Sequence, residues 1–119
     1  MKVTGIGGVF LRAKDPGALA AWYAEHLGLE VDASFNGAMI PDEAGQHAVW
    51  AAFPGDTDYF GAPGQAVMVN YRVADLAGLL DELRSSGVRV DDEVMDSEFG
   101  RFGWAYDLEG NRFELWQPS

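Results

Sequence analysis

The chain has 119 residues and no cysteine, so one core must hold it without disulfides, and thiolate metal sites and cysteine nucleophiles are excluded. Its 19 acidic and 8 basic residues leave a net charge of −11, a surface that repels nucleic acid and anionic lipid and draws cations. No uninterrupted apolar stretch approaches membrane-spanning length. The Gly-broken start VTGIGGVFL meets Arg12, Lys14 and Asp15 before any cleavage-like pattern, so no signal peptide is expected. A single cytoplasmic domain over residues 1–119 is the expectation.

In chain order, VFLRA reads as a strand. Asp15 and Pro16 then supply an N-cap and a first helical residue, Leu19, Trp22, Tyr23 and Leu27 form a helical stripe, and Gly28 stops it. Between Val31 and Gln46 the pattern offers a strand over Ala33–Ile40 and a loop broken by Pro41 and Gly45. HAVWAAFP is a further strand, closed by a turn at Pro54–Asp56. Sixty residues after the first unit the device returns in VNYRVADLAGLLDELRSSGV. Asp75 answers Asp15, Arg72 answers Arg12, Gly87 answers Gly28, and Leu76, Leu79, Leu80 and Leu83 make the buried stripe. The densest acidic run, Asp91, Asp92, Glu93, Asp96 and Glu98, lacks the glycine-centred spacing of a calcium loop and reads as a solvated edge.

The C-terminal stretch GRFGWAYDLEGNRFELW is a hairpin around Gly110 and Asn111. On its second strand Arg112, Glu114 and Trp116 share one face and Phe113 and Leu115 the other. The order is β, α, then two or three strands, twice, with modules at 4–60 and 65–117. Paired modules with helices outside would curve a mixed sheet round a cleft, an α+β architecture of tandem βαβββ units.

The doubled layout, the KDP and VADL helix starts and the closing GRFGWAYDLEGNRFELWQP together resemble the vicinal oxygen chelate superfamily. That superfamily includes glyoxalase I, extradiol dioxygenases, fosfomycin-resistance enzymes and bleomycin-resistance proteins. In catalytic members, the resemblance implies, His or Glu at four symmetric strand positions hold a divalent metal. Seven residues before each capping Asp stand Gly8 and Met68. The last-strand positions are Glu114 and, aligning Gly55 with Gly110, Tyr59. Only Glu114 matches, so no metal and no other cofactor is expected. His26 lies in the last turn of the first helix, where an imidazolium favours the dipole and the role is structural; His47 starts a strand, from which it could face the cleft, and reads as a surface residue.

With the superfamily register, Gly8, Phe10, Arg12, Met68, Asn70, Arg72, Arg112, Glu114, Trp116 and Tyr59 face the cleft, while Val9, Leu11, Val67, Val69 and Tyr71 lie under the helices. All of the cleft residues except Gly8 are candidate ligand contacts. An aromatic floor with one carboxylate suits a planar or cationic small molecule. Arg12 and Arg72 admit three readings: strand-end salt bridges, partners of Glu114, or clamps for an anion. Gly5, Gly7 and Gly8 precede a strand without a P-loop lysine, and no serine sits in a nucleophile elbow. The resemblance implies metal-free binding of a drug-like or cationic compound by a homodimer, as in bleomycin-resistance proteins. The alternative is a glyoxalase-like or lyase-type enzyme with Glu114 as base and Tyr59 as its partner.

Overall fold

A computed structural model describes residues 2–119. Its elements are β1 (Val3–Ala13), α1 (Pro16–Leu27), β2 (Gly37–Pro41), β3 (His47–Pro54), β4 (Val67–Val73), α2 (Leu76–Ser85), β5 (Met95–Ser97), β6 (Gly100–Tyr106) and β7 (Arg112–Pro118). They form an α+β fold of two compact units. One is Gly8–Val67, and the other joins the residues up to Gly7 to Met68–Ser119. Strand β1 serves both.

Each helix starts where its cap chemistry places it. The Asp15 side chain accepts the Ala18 N–H at 3.0 Å with Pro16 in the first turn, and the Asp75 side chain accepts the Gly78 N–H at 3.1 Å. Each such cap is worth about 1 kcal/mol. Gly28 ends α1 at φ +72°, a left-handed conformation that costs a glycine little, and returns its N–H to the Ala24 carbonyl. Beyond α2, Gly87 takes φ +83° in the same role.

Within Gly8–Val67 the strand order is β2-β3-β1, with β2 antiparallel and β1 parallel to β3. The helix α1 makes the crossover that a parallel pair requires. Its core holds Ala13, Ala20, Trp50 and Ala52, with Leu11, Leu19, Tyr23, Leu29 and Val31 packed round them. The Tyr23 and Trp50 rings meet at 4.4 Å. The expected stripe on α1 is only partly used: Trp22 is 51% and Leu27 62% exposed. The small Ala20 brings the helix close to the sheet, which turns Trp22 more than a quarter-turn outward to lean on His26, and Leu27 is the last helical residue.

In the other unit the order is β1-β4-β7-β6-β5, with β4 parallel and β6 antiparallel to β7. Val73, Leu76, Leu80 and Leu115 form its core beneath α2, flanked by Tyr71, Leu79, Leu83 and Phe113. Odd-numbered residues of β4, β6 and β7 thus face the helix, and even-numbered ones the opposite side, as alternation requires.

Three strands follow α2, but two follow α1. Residues 55–66, rich in Gly and Pro, form turns where a third strand would lie. Strand β2 also starts later than the expected Ala33, because Asp32 accepts the Ser34 N–H and pairs with Gly37, closing a turn in which Asn36 takes φ +52°. Burial interrupts the alternation of β1 at Gly7 and Gly8, successive residues that are both buried.

The deepest part of the internal repeat is a pair of matched hairpin turns. In Asp42–Gln46 the Asp42 carboxylate accepts the Ala44 and Gln46 N–H groups, and Gly45 takes φ +81°. In Asp107–Asn111 the Asp107 carboxylate accepts the Glu109 and Asn111 N–H groups, and Gly110 takes φ +84°. These turns join Pro41 to His47 and Tyr106 to Arg112. The counterpart of the Gly110 turn is therefore Asp42–Gln46, not Pro54–Asp56, and the residue in the place of Glu114 is Val49, not Tyr59.

Candidate binding site

The β6–β7 hairpin carries the site. Its register sets Tyr106 opposite Arg112, Trp104 opposite Glu114 and Phe102 opposite Trp116, three cross-strand pairs on the face turned away from α2. The parallel neighbour β4 continues the face, with Asn70 beside Glu114 and Arg72 beside Trp116. At the far side β1 contributes glycines. A β-carbon on Gly7 would collide with Asn70 Oδ1 and lie 2.9 Å from the Trp116 ring, and one on Gly5 would collide with the Arg72 guanidinium.

Glu114, 2% exposed, is the centre of this surface. One carboxylate oxygen accepts the Asn70 side-chain N–H at 2.6 Å, and the other accepts the Trp104 indole N–H at 2.9 Å. Burying a carboxylate without donors would cost several kcal/mol, and these two N–H groups offset part of that cost. Asn70 keeps its own Oδ1 buried, with no hydrogen-bond partner among the described residues.

Arg112 braces the neighbouring end. It pairs with Asp91 at 2.6 Å, donates to the Tyr106 hydroxyl at 2.9 Å and lies over the Trp104 and Tyr106 rings. Burial works against its charge, but Asp91 and Tyr106 outweigh that and hold the guanidinium above its ordinary pKa. Arg89 covers the Tyr106 ring at 4.0 Å. At the other end Trp116 lies parallel to Phe102, with centroids 6.0 Å apart, and its indole N–H donates to the Phe99 carbonyl.

Of the residues expected at a site, this unit brings together Asn70, Arg72, Arg112, Glu114 and Trp116. Met68, wholly buried, is on the same strand face as Asn70. Phe10, Arg12 and Tyr59 belong to the other unit, in an aromatic cluster of their own. Phe53 meets Phe10 at 5.4 Å, Phe60 at 5.2 Å and Tyr59 in a stack at 5.4 Å. Tyr59 sits in a turn beyond β3, off any strand.

Arg12 follows none of the three expected readings. Its guanidinium donates to the carbonyls of Gln65, Gly55, Thr57 and Ala62 at 2.6–3.2 Å and lies over the Phe60 ring at 5.1 Å. Four of its five N–H donors are spent on the 55–65 loop, so it is a fastening for that loop, not a ligand clamp.

Sequence reasoning missed Trp104, Phe102 and Gly7. The signal for the first two was present: counting outward from the Tyr106–Arg112 pair across the five-residue turn puts Trp104 opposite Glu114 and Phe102 opposite Trp116. The nearness of Gly7 to Asn70 had no local signal.

The donor set does not fit a divalent ion. Both oxygens of Glu114 already accept N–H groups, Gly7 offers no side-chain donor, and the amide nitrogen of Asn70 points at the carboxylate. Among the described residues no three His, Cys, Asp or Glu side chains cluster, and His26 and His47 are exposed. A separate hollow of 120 Å³ on the α2 side, lined by Leu76, Leu80, Arg84, Val94 and Arg101, does not reach Glu114. Among the described residues no helix is long and apolar enough to cross a membrane.

A paired βα-strand repeat with a carboxylate on the closing strand of its second half defines the vicinal oxygen chelate class of fold. The family profile of the Glyoxalase/Bleomycin resistance protein/Dioxygenase superfamily matches residues 5–115, and the chain belongs to that superfamily. Solved structures agree on the fold. Methylmalonyl-CoA epimerase from Mycobacterium tuberculosis superposes with a TM-score of 0.69 at 22% identity, over 98% of this chain and 89% of that one. A variant of Streptomyces coelicolor methylmalonyl-CoA epimerase, in complex with 2-nitronate-propionyl-CoA, gives 0.74 at 22% identity over 98% and 99%. A glyoxalase/bleomycin resistance protein/dioxygenase superfamily member from Vibrio splendidus gives 0.58 at 14% identity over 92% and 95%. No curated protein matches the chain.

Proposed function

We propose that this chain is a cytoplasmic small-molecule-binding member of its superfamily, taking a planar, positively charged organic compound against the Glu114 face. The observation that carries the reading is the parallel pair of rings Phe102 and Trp116, on the same strand face as Trp104 and its carboxylate partner Glu114. Aromatic rings attract a cation through their electron-rich faces, and the buried carboxylate beneath them contributes its field and not a direct contact. The net charge of −11 adds long-range attraction for such a guest and repulsion for polyanionic ones, including coenzyme A thioesters of the kind bound by the epimerases. We propose that the binding form is a homodimer.

The test is a thermal-shift series with planar aromatic cations, their neutral analogues and coenzyme A thioesters, on wild type and Trp116→Ala. A cation present at one hundred times its Kd stabilises by about 2.7 kcal/mol. The expected result is a rise in Tm with cations alone, lost in Trp116→Ala. Stabilisation by coenzyme A thioesters but not by cations would refute the reading.

A second reading draws on the epimerase-like fold, an enzyme in which Glu114 removes a proton from a carbon acid. The arrangement serves it less well, since Glu114 is buried with both oxygens engaged and the proposed partner Tyr59 stacks on Phe53. Turnover of a 2-oxoaldehyde thiol adduct or epimerisation of an acyl thioester, abolished in Glu114→Gln, would establish it.

A further inference from the structure

We infer that Asn70 and Trp104 take the place of a divalent ion at Glu114: one N–H group is set on each carboxylate oxygen, where a metal would bring its charge, and the Asn70 carboxamide fills the space a side chain at Gly7 would enter. The inference does not depend on the organic ligand proposed above.

Three observations meet here. First, a metal coordinates a carboxylate oxygen at about 2.0–2.2 Å. The Asn70 and Trp104 nitrogens lie 2.6 and 2.9 Å from the two Glu114 oxygens, so their hydrogens already stand inside that shell. A dication entering it would face the positive ends of two N–H dipoles. Second, neither donor is free to turn away. The Trp104 ring is 4% exposed and lies under the Arg112 guanidinium at 5.4 Å. The Asn70 side chain is 2% exposed and fits against Gly7, with its Oδ1 where a Gly7 side chain would begin. Third, the swap of volume is reciprocal. Residue 7 has no side chain, and the residue across from it has one that reaches both Gly7 and Glu114. Any side chain at position 7 is therefore sterically incompatible with Asn70 as it stands.

The buried carboxylate is thus solvated by the N–H dipoles of an amide and an indole, where a metal would supply a charge. Such a group is a permanent hydrogen-bond acceptor with fixed geometry, and it needs no metal supply to fold.

The experiment uses the full chain labelled with nitrogen-15, with Trp104→Phe identifying the Trp104 indole resonance. Manganese(II) is titrated while the indole N–H signals are followed, and metal content is measured after loading with manganese, nickel or zinc and desalting. The expected result is a Trp104 indole proton downfield of the other tryptophans, no preferential broadening of it by manganese, and substoichiometric retained metal, the same in Glu114→Gln. In Glu114→Gln the Trp104 signal moves upfield. Selective broadening of the Trp104 resonance in wild type, or near-stoichiometric metal lost in Glu114→Gln, overturns the inference. So does a Trp104 proton whose shift is indifferent to Glu114→Gln. If the mutant does not fold, the wild-type broadening decides alone. A metal found here would leave binding of an organic cation to be judged by its own assay.

Discussion

Replacing Glu114 with Leu removes the one acceptor shared by two buried donors. The Asn70 amide and the Trp104 indole N–H would each be left without their present partner in a setting 2–4% exposed. Each orphaned group costs about 1–3 kcal/mol, so the pair costs about 2–6 kcal/mol before any repacking. Unfolding entropy of about 2.1 cal/mol/K per residue gives roughly 0.25 kcal/mol/K for 119 residues, so the expected fall in Tm is about 8–24 °C. The reasoning makes a sharper claim for the triple variant Glu114→Leu, Asn70→Leu, Trp104→Phe. With this acceptor and both of these donors removed, neither the amide nor the indole N–H is stranded, and the share of the loss that they caused returns. Scanning calorimetry with chemical denaturation on the four proteins (wild type, Glu114→Leu, the Asn70 and Trp104 double variant, and the triple) measures the coupling. A fall under about 4 °C in the single variant, or a triple variant no more stable than the single, would refute the account of this cluster.

Arg12→Ala should cost about 2–4 kcal/mol and expose residues 55–65 to proteolysis, because four carbonyls lose one charged donor; urea denaturation and limited digestion check both parts. Gly7→Ala should be strongly destabilising in the wild-type background and much less so with Asn70→Ala, since the added methyl group collides with Asn70 Oδ1, although the Trp116 contact remains; additive losses in a double-mutant cycle would count against that packing. Asp107 has its pKa lowered by hydrogen bonds from Asn111 and Glu109. Its contribution is therefore fully present above the ordinary value of 3.8 and is lost as pH falls through the lower folded value. Tm measured from neutral pH down to strongly acidic pH should fall more steeply at the acid end for wild type than for Asp107→Ala. Light scattering at micromolar concentration should return twice the 12.9 kDa chain mass, and the monomer mass would dismiss the proposed dimer.

Much of the fold is written locally. Asp15 with Pro16 and Asp75 with Gly78 cap helices through atoms three residues apart, and Gly28 and Gly110 supply the left-handed conformation that ends a helix or turns a hairpin. Alternation along β7 likewise settles from sequence that Glu114 and Trp116 share a face while Leu115 joins the helix-side core. These features depend on neighbours within a few bonds, so composition and spacing suffice.

Other features depend on how distant segments register, and tertiary structure alone decides them. The repeat aligned through Gly55 points to Tyr59, whereas the hydrogen-bonded turns align Asp42 with Asp107 and place Val49 opposite the role of Glu114. Arg12 has the spacing of Arg72 but is consumed by a loop whose path no periodicity encodes. The partners of Glu114 come from β4 and β6, 44 and 10 residues away, and the space for Asn70 comes from the missing side chain of Gly7. Sequence determines which residues can face a site. Only packing across strands, where a shift of a few ångströms makes or breaks a hydrogen bond, decides which atoms meet there.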